Sequence, residues 1–426
     1  MTSQTNSSKG NMALPIAMMF ALFFMISFVT GLQNPLGVIV KEQFALSNMQ
    51  SQFGNAANFI AYAFMGLPAG MLLSRIGYKK TALTAVVVGF IGVGITFLAG
   101  QAANFTVYLI GAFISGLSMC MLNTVVNPML NNLGGGGKKS NQLIQFGGAI
   151  NSIGATIAPV LGGMLVGNAA QAVLKNANPI FYTAMAIFAV VFIVLSMVQI
   201  PEIGLSKEKS SMSSDIKSLF KFKHYVMGII AIFLYVGIEV GIANVLNLFL
   251  TKEQTIAGLP IDASVAGSVV GMYWLLMLVG RFIGGSVGAR FSSRTMLMAV
   301  ASLGIVFVLV GMYLPTDISI NMPGFQNLSF ITQSVPVGVL FFVLCGLCTS
   351  VMWGCIFNLA VKGLGQYTAS GSGLFMVMVC GGGILPLIQA KVADSTSYLS
   401  SYWVIVLALA FILFFATVVC RKFKED

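Results

Sequence analysis

Apolar stretches of about twenty residues or more follow one another along nearly the whole chain, separated by short polar connections. A helix crossing a bilayer needs about 20 apolar residues, and in lipid every backbone N–H and C=O must be satisfied within the chain. A succession of such stretches therefore admits a bundle of membrane helices and little else. Spans are expected near 14–40, 48–75, 81–100, 105–133, 140–166, 179–200, 225–251, 263–289, 295–314, 334–361, 368–392 and 399–420. Hydrophobic residues make up 57% of the 426 and charged residues 8%, which places the chain among multi-pass membrane proteins. Glycine is frequent, 47 residues, and Gly66 with Gly70, Gly162-Gly163 and Gly381-Gly382-Gly383 sit where helices can approach closely.

The basic residues set the expected orientation. Seventeen Lys and Arg fall on one face, among them Arg75, Lys79, Lys80, Arg290, Arg294 and Arg421. Four (Lys41, Lys175, Lys252 and Lys391) fall on the other, and Arg281 is left inside a span. Positive loops stay inside, so both termini are expected in the cytoplasm. The net charge of +11 then reflects topology and attraction to lipid headgroups, with no nucleic-acid partner implied. The polar start, Met1 to Asn11, lacks a cleavable signal pattern, so the first apolar segment is expected to remain as a helix.

The chain divides once and repeats. Pro201 to Lys223 is the one long charged, Ser-rich segment, and it reads as a cytoplasmic linker (201–223) between a first half, 1–200, and a second, 224–426. Lys41-Glu42-Gln43 recurs as Lys252-Glu253-Gln254, and Gly70, Arg75 and Lys79 recur 215 positions later as Gly285, Arg290 and Arg294. Asn127 with Leu133-Gly134 recurs 231 positions later as Asn358 with Leu364-Gly365, and Pro159 is matched by Pro386. The slip of about sixteen is absorbed by the long connection Pro315–Ser334, against Gly100–Asn104 in the first half. Two parallel six-helix repeats place a binding site near the bilayer midplane, between them.

Within the spans the most telling residue is Glu239, in Tyr235-Val-Gly-Ile-Glu-Val, the only acidic residue placed mid-span. An ionised group at a helix centre costs roughly 2.5–3.5 kcal/mol on insertion scales. It must be held protonated or meet a cation or a donor, so it is the candidate ion-coupling residue; the structural alternative is a hydrogen bond to a neighbouring helix. A sugar offers hydroxyls that donate and accept, and its site wants amides, carboxylates and aromatic faces. Gln33, Asn34, Asn123, Gln145, Asn151, Glu239, Asn244 and Trp353 are the candidates, each open to the plainer reading of interhelical hydrogen bonding or of core. Asn127, Asn358, Tyr273 and Trp274 read as structural. Should the ion be sodium, Asn244, Asn247 and backbone carbonyls of an irregular helix near Gly237 and Gly241 are expected to hold it. Arg75, Arg281 and Arg290 are candidate gate residues, and whether Arg281 reaches Glu239 is left open by sequence.

Six cysteines lie in spans as small apolar residues, and Cys345-Gly-Leu-Cys348 has no further ligands around it, so no metal site is expected. His224 reads as an interfacial residue. No P-loop appears and no cofactor is expected. One histidine and one buried carboxylate do not make a hydrolase, so an enzyme is excluded in favour of a transporter.

Gly70-Met-Leu-Leu-Ser-Arg75-Ile-Gly77-Tyr-Lys79-Lys80 resembles the loop 2–3 signature of the major facilitator superfamily. It departs at Ser74, where the family carries Asp, and again at Ala289, so the latch that this acid provides is missing twice. Asn34-Pro35-Leu36 through Leu46-Ser47-Asn48-Met49-Gln50, Asn123 through Asn127-Pro128, Asn151 through Ala155, Tyr235 through Val240, and Met352-Trp353 through Gln389 resemble the fucose–proton symporter family, in particular its glucose/galactose and N-acetylglucosamine branch. The resemblance implies an all-α membrane protein with twelve transmembrane helices in two six-helix pseudo-repeats, the major facilitator fold. It implies a monomeric secondary transporter of a bacterial inner membrane, importing a hexose or hexose derivative by alternating access, coupled to H⁺ or Na⁺. The alternatives are a sugar facilitator without ion coupling, or efflux of another small metabolite. Fucose transporters carry acids at the places of Asn34 and Asn123; Asn cannot titrate, so the resemblance implies that coupling has moved to Glu239.

Overall fold

The computed structural model describes residues 13–133, 137–166, 173–202, 217–252, 261, 263–287, 291–326, 329–364 and 367–422. The first span is α1 (Ala13–Gly31) and α2 (Gln33–Gln43), parted at Leu32 two residues after Thr30 and three before Pro35. A one-turn α3 (Asn48–Ser51) leads into α4 (Phe53–Ala102), which holds two crossings. The chain reverses between them at Gly77, whose φ of 83° suits a residue without a side chain. Next come α5 (Phe105–Leu133), α6 (Gly137–Val166) and α7 (Asn178–Met197).

After the 201–223 stretch the chain continues as α8 (Lys223–Lys252), α9 (Ala263–Val287) and α10 (Ser293–Tyr313). A crossing follows that is broken into α11 (Val337–Thr349) and α12 (Met352–Val361), then one made of α13 (Thr368–Val377) and α14 (Gly381–Ser395). The described chain closes with α15 (Tyr398–Ser401) and α16 (Trp403–Thr417), then a 3₁₀ turn over Val419–Lys422. Eleven helical segments among the described residues are long and apolar enough to cross a membrane, and α6 carries a shorter apolar stretch, Phe146–Gly162.

The long connection after α10 is not a loop but a β-hairpin. β1 (Ser319–Gln326) pairs antiparallel with β2 (Ser329–Pro336), Ser319 opposite Pro336 and Gln326 opposite Ser329. Phe330, Ile331, Thr332 and Val335 of β2 are β-branched or aromatic, residue types that favour strands. The hairpin also moves the next helix start to Val337, three residues later than the sequence suggests.

Helix contacts repeat at offsets of 215 and 230, close to those found in the sequence. A Cβ on Gly116 of α5 would lie 2.0 Å from the Asn58 carbonyl oxygen of α4, and one on Gly346 of α11 would lie 2.2 Å from the Tyr273 carbonyl oxygen of α9. Both pairs bring backbones together where any side chain would separate them. Lys79 Nζ donates to the Ser196 carbonyl at the end of α7, 2.7 Å, and Arg294 donates through Nε and Nη2 to the Ala416 and Thr417 carbonyls at the end of α16, 2.9 and 3.2 Å. These cations meet helix C-termini, where unpaired carbonyls favour positive charge.

An acid from elsewhere stands in for the one missing at Ser74. Glu202, just beyond α7, accepts from the backbone N–H groups of Tyr78 (2.7 Å) and Lys79 (3.2 Å), where the helix restarts after Gly77. A Cβ on Gly77 would lie 2.5 Å from that carboxylate, so the glycine provides both the turn and the room.

Candidate functional site

Helix α8 runs unbroken from Lys223 to Lys252, which corrects the expectation of an irregular helix near Gly237 and Gly241. Carbonyls there belong to the helical ladder and are not free to bind an ion. The regular helix instead sets Tyr235 and Glu239 one turn apart on one face. Glu239 is half-buried. The Tyr235 hydroxyl is buried without a hydrogen-bond partner among the described residues, although the Glu239 carboxyl interacts with it.

Trp353 meets this face from α12, which restarts after the break in its crossing. Its ring stands edge-on to Tyr235, centroids 6.2 Å apart, and to Phe375 of α13 at 5.7 Å. Phe375 in turn meets Phe357 at 5.1 Å. A carboxylate interacting with a buried phenol, beside an aromatic wall, has the components for directing hydroxyls and covering an apolar ring face.

The charge of Arg281 on α9 acts on Glu239. It does not hydrogen-bond the carboxylate. Its Nη1 donates to the Gly148 carbonyl of α6, so a cation facing a carboxylate of the second half is anchored on the backbone of the first. Arg75 is exposed, and Arg290 lies outside the described residues.

The first half contributes neutral amides that already have partners. Asn123 Nδ2 donates to the Tyr62 hydroxyl, 2.9 Å, and to the Met119 carbonyl, 3.2 Å. Asn151 Nδ2 donates to the Phe23 carbonyl, 3.1 Å, from one turn beyond Gly148. Gln33 is buried and accepts from the Tyr108 hydroxyl at 3.0 Å. Asn34 lies in α2 and Gln145 in α6, but their side chains fall outside the described residues. Asn127 donates to the Asn123 carbonyl, Asn358 is exposed, and the Tyr273 and Thr349 hydroxyls bond one another. His224 contacts the Lys362 carbonyl at 2.9 Å.

Among the described residues, hydrogen bonds joining α1–α7 to α8–α16 concentrate at the face opposite Ala13 and Lys422; Arg281 to Gly148 is the exception. There Asp394 accepts from the N–H groups of Asn48 (2.7 Å) and Met49 (2.8 Å), and the Tyr398 hydroxyl donates to Asn48 Oδ1 at 2.8 Å. Lys41 donates to Tyr398 at 3.1 Å and to Asn48. A layer deeper, Asn244 Nδ2 donates to Gln52 Oε1 at 2.7 Å and Asn55 Nδ2 to the Gly382 carbonyl at 2.9 Å. Asn244 thus helps close this face. Sequence reasoning missed Gln52, Asn55, Asp394 and Tyr398. Amides spaced three apart at the start of the second crossing were the available signal for the first two.

The model of the Major Facilitator Superfamily matches residues 19–387. The chain belongs to that superfamily. It is 30% identical over 422 residues to the glucose/galactose transporter of Brucella abortus biovar 1 (strain 9-941), covering 97% of this chain and 95% of the relative. It is 25% identical over 406 residues to the L-fucose-proton symporter of Escherichia coli (strain K12), covering 90% and 87%. Among solved structures, the superfamily transporter FucP in the outward conformation superimposes with a TM-score of 0.70 at 22% identity, over 96% of this chain and 99% of that one. A bacterial homologue of the lysosomal transporter Spinster, inward-facing and unoccupied, gives 0.69 at 12% identity, over 98% and 100%. Within the superfamily, the residues resembling fucose–proton symporters and glucose/galactose transporters extend over nearly the whole fold.

Proposed function

We propose that this chain is a secondary transporter that imports a neutral hexose or hexose derivative by alternating access, coupled through Glu239 to H⁺ or Na⁺. The observation that carries the reading is Glu239 on α8, set between the Tyr235–Trp353 aromatic face and the Arg281 charge. A carboxylate can be neutralised by a proton, by a bound cation or by Arg281, and which of these holds it differs between loaded and empty states. At Glu239 itself H⁺ is favoured, because α8 is regular there and offers no free backbone carbonyls to complete an ion's shell. Relatives named for glucose/galactose transport and for fucose–proton symport support the substrate class and the coupling.

Twelve spans with both termini in the cytoplasm complete the reading, α6 counting as the fifth span. The closed face around Asp394 and Lys41 is then the outer one, and this is a state shut to the outside. Asn123 and Asn151 each spend their amide N–H on their own half and offer Oδ1 to a sugar hydroxyl from the opposite wall. The test is uptake of labelled hexoses into vesicles under imposed H⁺ or Na⁺ gradients. Concentrative uptake driven by one gradient is expected. Uptake that only equilibrates and ignores both gradients removes the coupling and leaves facilitated diffusion.

A further inference from the structure

The junction of α4, α8 and α14 holds carboxamides with unused hydrogen-bonding atoms. Gln389 is 0% exposed, and both its Oε1 and its Nε2 lack partners among the described residues. It lies seven residues, two helical turns, beyond Gly382, so the two share one stripe of α14. A Cβ on Gly382 would lie 2.8 Å from both Phe59 of α4 and Val236 of α8, so this stripe faces the groove between those helices. Gln389 fits there because residue 241 is glycine: a Cβ at Gly241 would lie 2.5 Å from Gln389 Oε1. One turn beyond Gly241, Asn244 bridges to Gln52 at the head of α4 and leaves its Oδ1 unpartnered. One turn beyond Gln52, Asn55 bonds the Gly382 carbonyl and also leaves its Oδ1 unpartnered.

Each buried, unsatisfied polar group costs roughly 1–3 kcal/mol, and the apolar surroundings of a membrane bundle offer no water to relieve it. The unpartnered atoms here are chiefly acceptors: Asn55 Oδ1, Asn244 Oδ1 and Gln389 Oε1, against the single donor Gln389 Nε2. An excess of neutral oxygens calls for an electron-poor ligand, and hard cations take oxygen ligands of this kind. Asn244 at 3% exposure and Gln389 at 0% leave no opening for a hexose, so the ligand is a small ion. With neutral ligands only, a monovalent ion is better matched than a divalent one.

The geometry points to a sodium site at this junction, held by the carboxamide oxygens of Asn55, Asn244 and Gln389 and separate from Glu239. The donors come from both halves of the chain, so the ion ties together the face that Asp394 closes and favours its closed state. The site's role in transport rests on the proposed transporter reading; ion binding itself does not.

Thermal unfolding of the purified full-length protein, with NaCl exchanged for KCl or choline chloride at constant ionic strength, tests it. A ligand that binds the folded form raises the unfolding midpoint with concentration, here by about 2 °C. Sodium alone is expected to do so, and the shift is expected to vanish in Gln389→Met and in Asn244→Ala. No sodium-specific shift in the unmodified protein overturns the site, whether or not the variants fold. A shift that survives both variants but disappears in Glu239→Gln also overturns it, by placing the ion at Glu239. Hexose counterflow in the same preparation keeps the two readings apart. Counterflow without a sodium shift removes this site and leaves the transporter; a shift without counterflow does the reverse.

Discussion

The two halves of this molecule treat their buried polar groups differently. In the first half, Gln33, Asn123 and Asn151 all bond a tyrosine hydroxyl or a backbone carbonyl of their own half. In the second, Glu239 and Arg281 add charges that act on one another, beside the Tyr235–Trp353 aromatic face, while buried polar atoms without partners among the described residues occur in both halves, at Asn55, Asn58 and Ser152 as at Asn244, Asn247 and Gln389. On the proposed reading the first half is a scaffold wall, and the second, which carries both charges placed inside spans, is the working wall. A helical repeat can thus carry similar backbones into different tasks by changing which side chains carry charge.

The largest effect expected from that contrast is at Trp353. Trp353→Ala removes the aromatic face beside Tyr235, and hexose binding measured by calorimetry should weaken about thirtyfold, ~2 kcal/mol. Binding unchanged within twofold would show that the working wall lies elsewhere. Next is Gln33→Leu, which strands the buried Tyr108 hydroxyl. Unfolding should shift to lower temperature by roughly 1–2 kcal/mol of lost stability, with hexose affinity unaltered. A loss of affinity without a loss of stability would turn Gln33 from scaffold to ligand contact.

Asn123→Ala and Asn151→Ala sharpen the comparison, since each residue has one committed and one offered group. About 1 kcal/mol of hexose affinity, a factor near five, should go from either, with a similar or smaller change in stability. Loss of fold with full residual affinity would make them helix–helix contacts only. The smallest expected effect is at Asp394. Asp394→Asn keeps the shape and weakens two charge-assisted bonds to Asn48 and Met49, shifting the face towards its open state by about 0.5–1 kcal/mol. Spin labels flanking that face should report a larger population of long distances; an unaltered distribution would mean that Lys41, Tyr398 and the Asn244–Gln52 layer hold it closed unaided.

Much of the fold was legible in sequence because lipid leaves the backbone so few options. Apolar length gave most of the crossings, and the offset of 215, with one of 230 beside the 231 read in sequence, appears in the paired contacts Gly116–Asn58 and Gly346–Tyr273. The hairpin after α10 was not read, because a short run of mixed polar and apolar residues looks like an ordinary polar connection beside stretches so apolar. Breaks at Leu32 and between Thr349 and Met352 also went unread, while the one foreseen in α8 does not exist: Gly237 and Gly241 serve Leu385 and Gln389, not a kink. At the site, Glu239 and Trp353 could be found because a charge and a large aromatic in a motif stand out. Glu202 standing in for the missing Asp, and the Gln52–Asn244 bridge, depend on which helices meet, and residue order does not carry that information.

The central claim is that Glu239 couples sugar movement to an ion. Proteoliposomes holding the unmodified protein or Glu239→Gln report it directly, through hexose accumulation under an imposed H⁺ or Na⁺ gradient and hexose exchange without one. The amide keeps the size and hydrogen-bonding of the carboxyl and removes its charge. The account expects accumulation to be abolished in the Gln variant while exchange survives. Accumulation by Glu239→Gln at the unmodified level would contradict it.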